Sequence, residues 1–199
     1  NKVQTVSMLE GVMDGPYIVY YAAGTVKQTM LYKKGKLHGP LRYFNEKEEL
    51  VYEASFNEGQ LDGIAKQYEH TQLTGTFHFK NGQQTGPTHI FKDGNLVAEM
   101  MYFEGKLDGV FKAFREGKLI KECMYKRGTL HGPVTVYYPD GAILQTLHYE
   151  KGVIIGEEQK YYQNGTLMQK TYYKDGKPEW MQAFDQKGNL AEEKNFLDS

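Results

Sequence analysis

The stretch Gly132-Pro-Val-Thr-Val-Tyr-Tyr-Pro-Asp-Gly141 decides the fold, together with the residues that follow it as far as Gly156. Two runs rich in Tyr, Val, Ile and Thr are joined by the pair Asp140-Gly141. A strand, an Asx-Gly turn and a second strand form the strongest short-range signal for a β-hairpin. The pair Lys151-Gly152 then predicts a return turn that leads into a further hairpin.

This hairpin recurs along the chain, because glycines mark it every 23 or 24 residues. These repeat glycines are Gly15, Gly39, Gly63, Gly86, Gly109, Gly132 and Gly156, and Glu179 takes the next place. We predict seven full repeats starting at 15, 39, 63, 86, 109, 132 and 156, with partial repeats at 1–14 and 179–199, all in a single domain 1–199. In each repeat a first turn joins the two strands, and a second turn leads to the next repeat.

Three apolar columns accompany the glycines and predict where the repeats pack. The first column is the aromatic five residues after each repeat glycine: Tyr20, Phe44, Tyr68, Phe91, Phe114, Tyr137, Tyr161 and Phe184. An aliphatic follows the first turn: Val26, Leu50, Leu73, Leu96, Leu119, Ile143, Leu167 and Leu190. A second aromatic precedes the second turn: Tyr32, Phe56, Phe79, Tyr102, Tyr125, Tyr149, Tyr173 and Phe196. We therefore predict an all-β fold, an elongated single-sheet array of tandem β-hairpins with about 16 antiparallel strands.

The first turn is the variable part of the repeat. It is one residue shorter in the repeats that begin at Gly63, Gly86 and Gly109. Two first turns, Asn45–Glu49 and Glu69–Gln72, contain no glycine at all. Either these two turns are diverted to contact a partner, or they have drifted without consequence.

The repeat resembles the bacterial variant of a known family, the MORN repeat. The resemblance rests on Gly132 to Gly141 and on Gly156-Glu-Glu-Gln-Lys-Tyr-Tyr-Gln-Asn-Gly165 followed by Tyr173-Lys-Asp-Gly176. It implies a row of β-hairpins in an extended, curved sheet that serves as an interaction or membrane-association scaffold. Such repeats are also similar to the YwqK-type antitoxin family, whose members are associated with neutralising toxin partners.

Composition excludes several classes of protein. The net charge of −1 provides no global field that would recruit nucleic acid or an anionic membrane. The single Cys123 excludes an intrachain disulfide, and we expect it to be a small packed residue. No apolar run approaches the roughly 20 residues that a membrane helix needs, which predicts a soluble protein. Because the chain begins at Asn1, a cytoplasmic location and export with a removed leader both stay open.

No set of residues converges in the way that catalysis requires. His38 and His131 hold equivalent positions four repeats apart, so they cannot share a metal ion or a substrate. No Ser lies in a nucleophile elbow, and no glycine-rich loop precedes a helix. We predict a protein that is not an enzyme, with no catalytic residues, no metal site and no cofactor.

Aromatic residues outside the three columns are the first candidates for binding a partner, since aromatic side chains anchor many protein interfaces. These are Tyr17, Tyr21, Tyr43, Phe103, Phe111, Tyr138, Tyr162 and Tyr172, with Trp180 as an expected cap of the last repeat. The alternative is that they complete a second packed face.

A basic ladder is the second candidate. It consists of Arg42, Lys66, His89 and Lys112, each three residues after a repeat glycine. The ladder would face an acidic partner or phospholipid head groups. The alternative is a solvated face whose charge is balanced by Glu53, Glu99 and Glu122.

These observations favour a non-enzymatic scaffold that binds another protein, in particular an antitoxin or immunity-type protein that neutralises its partner. The alternative is a peripheral membrane module that binds phospholipid head groups. Open edge strands at the two ends would also permit end-to-end association of copies.

Overall fold

The regular structure of this protein is built only from β-strands. The computed structural model describes residues 3–197, and in this range it contains 20 strands and no helix. The strands are β1 Gln4–Leu9, β2 Val12–Tyr20, β3 Val26–Lys33, β4 Lys36–Leu37, β5 Gly39–Phe44, β6 Leu50–Asn57, β7 Gln60–Leu61, β8 Gly63–Glu69, β9 Gln72–Lys80, β10 Gln83–Gln84, β11 Gly86–Lys92, β12 Asn95–Phe103, β13 Lys106–Arg115, β14 Lys118–Lys126, β15 Thr129–Tyr137, β16 Ile143–Glu150, β17 Val153–Tyr161, β18 Leu167–Lys174, β19 Lys177–Phe184 and β20 Leu190–Asn195. The all-β prediction is confirmed.

The strand count exceeds the predicted 16 mainly because three strands are interrupted. The two-residue strands β4, β7 and β10 each stop one residue short of the strand that begins at the next repeat glycine. The single residues in these gaps are His38, Asp62 and Thr85. In later repeats the same stretch is continuous, as in β15 and β17. The interruption therefore divides a strand in two without changing the hairpin order.

Two compact bodies make up the chain. The N-terminal body holds the residues up to Asn95 together with Tyr102–Gly105, and the C-terminal body holds Leu96–Met101 and the residues from Lys106 onward. Within the N-terminal body, β1 to β11 pair antiparallel in chain order. Within the C-terminal body, β13 to β20 do the same. This pairing confirms the predicted array of antiparallel hairpins.

The second turns share one geometry. Arg127 and Gly128 join β14 to β15 with φ angles of 51° and 85°. Two central residues with positive φ define the type I′ turn, whose twist matches that of the flanking strands. The amide of Gly128 donates to the carbonyl of Leu107, and that of Gly152 donates to the carbonyl of Leu130, at 2.7 and 2.8 Å. Successive second turns are therefore linked by backbone hydrogen bonds.

Repeat glycines such as Gly15, Gly132 and Gly156 lie in distortions of the ladder. Cys123 pairs with Val134 and Tyr125 with Leu130, so three residues around Gly132 stand opposite Met124 alone. Such a bulge bends the strand and increases its twist.

The environment of Gly109 shows why the position requires glycine. Its φ is +115°, and a Cβ there would lie 3.1 Å from the Cβ of Met101. Across the hairpin, Gly109 pairs with the aromatic Tyr125. A side chain at this position would therefore be strained by the backbone and would crowd the preceding strand.

The deepest burial lies between the predicted aromatic columns. Leu41 and Ala54 are buried and pair across the β5–β6 hairpin, and Cys123 and Val134 are buried and pair between β14 and β15. The aromatic columns themselves are half-buried, and Tyr20, Phe114 and Tyr137 of the first column lie at a register shift before the first turn. The most deeply buried positions are thus at the middle of the strands, where most side chains are smaller.

The first turns differ by one residue, as the sequence predicts. Five residues separate the first-column aromatic from the aliphatic in the long turns and four in the short ones, where the outer two of the four extend the strands. The five-residue turns, such as Tyr138–Ala142, are closed by a bond from the first amide to the last carbonyl. The turns of the repeats at Gly63, Gly86 and Gly109 have two residues with positive φ.

The two turns without glycine keep these same geometries. Glu48 has φ +61° at the place where other five-residue turns have glycine, and Asn45 Oδ1 accepts hydrogen bonds from the amides of Lys47 and Glu49. His70 and Thr71 form a two-residue turn with φ of 48° and 66°. The absence of glycine has therefore not changed the backbone geometry of either turn.

None of residues 3–197 forms a helix with the length and the apolar character needed to cross a membrane.

We expect Thr71→Gly to stabilise the N-terminal body by about 1 kcal/mol, because a β-branched residue is strained at positive φ and glycine is not. The measurement is the free energy of unfolding in urea. Gln72→Gly is the matched control: it places glycine in the adjoining strand β9, and we expect it to cost about 0.5–1 kcal/mol. Equal changes for both variants would contradict strain at Thr71.

Candidate binding surface

A row of exposed apolar side chains crosses the strands of each body. Its members lie one residue after a repeat glycine or one residue before an aromatic of the second column. We call this set the apolar row. It comprises Pro16, Leu31, Pro40 and Ile64 in the N-terminal body, and Met101, Val110, Met124 and Pro133 in the C-terminal body.

Strand alternation explains why the apolar row is exposed. Val110 pairs with Met124, and the next pair along the same strands is Phe111 with Cys123. Successive residues of a strand point to opposite faces of the sheet. Cys123 is 1% exposed, whereas Val110 and Met124 are 36% and 43% exposed. The row is therefore an apolar surface on the face opposite the core.

A row of polar residues runs beside the apolar row on the same face. In the N-terminal body it links Arg42, Glu53, Lys66, Thr76 and His89 by successive cross-strand pairs. In the C-terminal body, Lys112 and Glu122 form the equivalent pair. On β5, β8, β11 and β13 the polar residue lies two positions beyond the residue that follows the repeat glycine. Its side chain therefore points to the same face of the sheet as that residue.

The predicted basic ladder is part of this polar row, and its cations have carboxylate neighbours. Glu53 lies 3.5 Å from Arg42 and 3.4 Å from Lys66. Lys112 lies 3.9 Å from Glu99 and 4.0 Å from Glu122. The Nδ1 atom of His89 is 3.2 Å from the hydroxyl of Thr76. The ladder is thus an alternation of charges across the strands and not a uniformly positive stripe.

Glu53 is the centre of the charge network in the N-terminal body. Burial alone would raise the pKa of its carboxyl. The hydrogen bonds from Tyr68 and Lys66, the charge of Lys66 and the hydrogen bond from Arg42 together hold that pKa below its ordinary value. Glu53 therefore stays ionised between the two cations.

Three of the predicted partner-binding tyrosines make equivalent contacts within the fold. The hydroxyl of Tyr21 donates to the carbonyl of Phe44 at 2.7 Å, and that of Tyr138 donates to the carbonyl of Tyr161 at 2.8 Å. Tyr162 donates to the carbonyl of Phe184 at 2.9 Å. Each bond spans one repeat, so these tyrosines tie neighbouring first turns together.

The remaining predicted aromatics mostly form ring pairs. Tyr17 meets Tyr32, and Phe111 meets Tyr125, edge to face at about 6 Å. Tyr43 packs against Tyr52 with tilted rings. The rings of Tyr172 and Trp180 are stacked, with centroids 6.0 Å apart. These contacts are of the kind that the alternative of a second packed face requires.

Phe103 differs from these residues because its side chain is 59% exposed. It is the member of the predicted set whose ring is most available to a partner.

Two buried groups replace apolar core residues. Glu158 holds the position two residues after its repeat glycine that Val134 holds in the preceding repeat. It accepts hydrogen bonds from Gln145 and Tyr173, and Lys160 lies 3.5 Å away. Cys123 is buried, and burial raises the pKa of its thiol above the ordinary value. Glu158 is thus hydrogen-bonded within the core, and Cys123 is a small packed core residue, as the sequence predicts.

No group of three His, Cys, Asp or Glu side chains within residues 3–197 is arranged to hold a metal ion.

The apolar row is not among the predicted binding residues, although the sequence contains a signal for it. The residue after a repeat glycine is Pro or an aliphatic in most repeats, and it alternates with the buried position that follows it. Recognising the row requires knowing which of the two faces is buried, and the cross-strand pairs supply that information.

Comparison with known proteins supports the repeat. The family model described as the MORN repeat variant matches residues 13–34, 130–151 and 155–177. The three matched segments contain Tyr21, Tyr138 and Tyr162, the tyrosines that bridge neighbouring first turns. No curated protein matches the chain.

We expect Tyr138→Phe to lower the free energy of unfolding by about 1 kcal/mol, because it removes the hydroxyl that donates to Tyr161. Urea unfolding measures this loss. Tyr172→Phe is the matched control, since Tyr172 contributes its ring to the stack on Trp180, and we expect little change. A Tyr138→Phe variant as stable as the wild type would mean that the bridge does not hold the turns.

We expect Glu53→Gln to reduce the loss of stability in acid. The folded-state pKa of Glu53 lies below its ordinary value, so its contribution is present above the ordinary carboxyl pKa and is lost as the pH falls below it. The free energy of unfolding, measured between about pH 3 and pH 6, should depend less steeply on pH in the variant. Glu46→Gln removes a carboxylate from an exposed turn and serves as the control. Identical slopes for the wild type and Glu53→Gln would contradict this role.

Proposed function

We propose that this protein is a non-enzymatic scaffold that binds another protein through the apolar row. The observation that carries the proposal is the exposure of Val110 and Met124, which pair on the face opposite the core. Exposed apolar side chains that lie side by side on one face, as Val110 and Met124 do, mark interaction sites in soluble proteins, because their exposure to water is costly.

The composition of the face supports a protein as the partner. Met101 and Met124 are flexible and polarisable, and such side chains adapt to the surface of a partner. The charged pair Lys112 and Glu122 lies alongside, so an apolar strip has a polar border. An apolar centre with a polar rim is the usual anatomy of a protein interface.

The same charges argue against an anionic membrane as the main ligand. Arg42 and Lys66 share the carboxylate of Glu53, and Lys112 lies between Glu99 and Glu122. Binding to head groups would have to separate these ion pairs or bring the carboxylates against lipid phosphates. A protein with charges in complementary register would meet no such penalty.

A narrower proposal is that the bound protein is a toxin that the scaffold neutralises. Its support is the resemblance of the repeats to the YwqK-type antitoxin family. The test is to express a captured partner in cells with and without this chain. Growth arrest by the partner alone and rescue by the chain support neutralisation, whereas a harmless partner contradicts it.

The experiment for the apolar row uses the double variant Val110→Glu, Met124→Glu. Two carboxylates in the row would be desolvated by an apolar partner surface, so we expect recovery of the partner to fall at least tenfold. Affinity capture from the native source, quantified by mass spectrometry, measures this recovery.

Val153→Glu is the control variant, because Val153 is equally exposed but lies beside a second turn of the same body. It should capture the partner as the wild type does. Circular dichroism of each variant establishes that the fold is kept. A partner recovered equally with all three proteins would show that the apolar row is not the binding surface.

A further inference from the structure

The repeats of the C-terminal body contain one step from a short first turn to a long one. The repeat at Gly109 closes with the two-residue turn Glu116–Gly117, and the repeat at Gly132 closes with the five-residue turn Tyr138–Ala142. The following repeat also has a five-residue turn, closed between Tyr162 and Thr166. The first turns of neighbouring repeats are therefore unequal at this step and equal at the next.

The hydrogen bond from a tyrosine hydroxyl of one repeat to the aromatic carbonyl of the next, which we call the tyrosine bridge, is absent at the same step. Tyr138 and Tyr162 each reach the carbonyl of the aromatic in the following repeat. The residue that precedes Tyr138 in this column is Arg115, at the end of β13. In the repeats at Gly132 and Gly156 a tyrosine ring therefore fills the space between neighbouring first turns. In the repeat at Gly109 an arginine, Arg115, holds the same position.

A cavity of about 580 Å³ occupies this place, and we call it the turn-step cavity. Its apolar lining includes Ile120, Val136 and Leu144, and its charged lining includes Arg115, Lys118 and Lys121. A second hollow of about 400 Å³ shares Lys118 with it and continues around the long turn to Gly141. The volume is within the range of ligand-binding pockets, and the continuation makes the site elongated.

The charges of the turn-step cavity are unbalanced. Its three cations are accompanied by one carboxylate in the cavity itself, that of Glu116. In contrast to Arg42, Lys66 and Lys112, none of the three is engaged in an ion pair with any described residue. Asp140, which lines the second hollow, accepts hydrogen bonds from Gln163 and from the amide of Ala142, and these bonds together with the nearby charge of Lys118 hold the pKa of its carboxyl below the ordinary value. The cavity therefore combines an apolar floor with an excess of positive charge.

We propose that the turn-step cavity binds an acidic peptide segment of the partner protein, with one apolar side chain on the floor and carboxylates beside Arg115, Lys118 and Lys121. This inference rests on the proposed function, since it describes the chemistry of the protein that the scaffold holds. A peptide fits better than a compact small molecule because the site continues around the turn. Carboxylates on both sides of an apolar residue match the cations around the floor.

The probe is an end-capped peptide with one Phe between two pairs of Glu, titrated into the full chain in a calorimeter. We expect saturable binding that weakens about tenfold or more when Ser replaces the Phe, because burial of the ring is lost. Exchange of the four Glu for Lys should abolish binding.

The first variant is Arg115→Tyr, which places in the short-turn repeat the residue that bridges the repeats at Gly132 and Gly156. It should fill the cavity and weaken the probe at least tenfold. Lys121→Glu reverses one lining charge without filling the space and should weaken the probe as well. Lys177→Glu makes the same charge change in β19, away from the cavity, and should bind the probe like the wild type.

These outcomes separate this site from the apolar row. The double variant Val110→Glu, Met124→Glu should recover less of the captured partner and should still bind the peptide. The two proposals can therefore fail independently. Absence of saturable binding, or equal binding by the wild type and Arg115→Tyr, overturns the inference. The inference is also overturned if the wild-type chain sediments with phosphatidylserine vesicles and Arg115→Tyr does not, because the cavity would then bind a lipid head group.

Discussion

The repeat glycine is the constraint on which the other contacts of each hairpin depend. At Gly109 it combines a positive φ, a cross-strand aromatic partner and the close approach of Met101 from the preceding strand. The bulge at such a position lets the strand bend while the residues after it keep their alternation. That alternation places Val110 outside and Phe111 on the face of the core. One residue without a side chain thereby orders both faces of the sheet.

The two ends of the hairpins play different parts. At the second turns, a fixed two-residue geometry and a bond such as Gly128 to Leu107 recur from repeat to repeat. At the first turns, length and chemistry vary, and within residues 3–197 the tyrosine bridge is present only where a long turn precedes a long turn. The segments that match the MORN repeat variant contain Tyr21, Tyr138 and Tyr162. Variation in turn length is thus confined to the end of the hairpin opposite the backbone seam, as we call the row of hydrogen bonds that links successive second turns.

Local signals made the fold predictable from the sequence, and non-local register limited the prediction of the site. Glycine spacing and Asx-Gly pairs act within one hairpin, so strands and turn lengths could be derived directly. The aromatic surplus could not be assigned in this way, because the partner of the Tyr138 hydroxyl lies 23 residues further along the chain. The basic ladder follows from its spacing of three residues after successive repeat glycines. The position of Glu53 between Arg42 and Lys66 follows from pairing across two hairpins.

The seam at the second turns also bears on how such a chain can change length. Each bond there joins backbone atoms, Gly152 to Leu130 in one repeat and Gly176 to Ile154 in the next. Because no side-chain identity enters these bonds, a gene that gained or lost one whole repeat would encode the same seam with one bond more or fewer. A gain of a single codon within a strand would instead shift the pairing of that strand by one residue and turn its side chains to the opposite face. Evolution of this protein by recombination between its own repeats is therefore far less disruptive than evolution by small insertions within a strand.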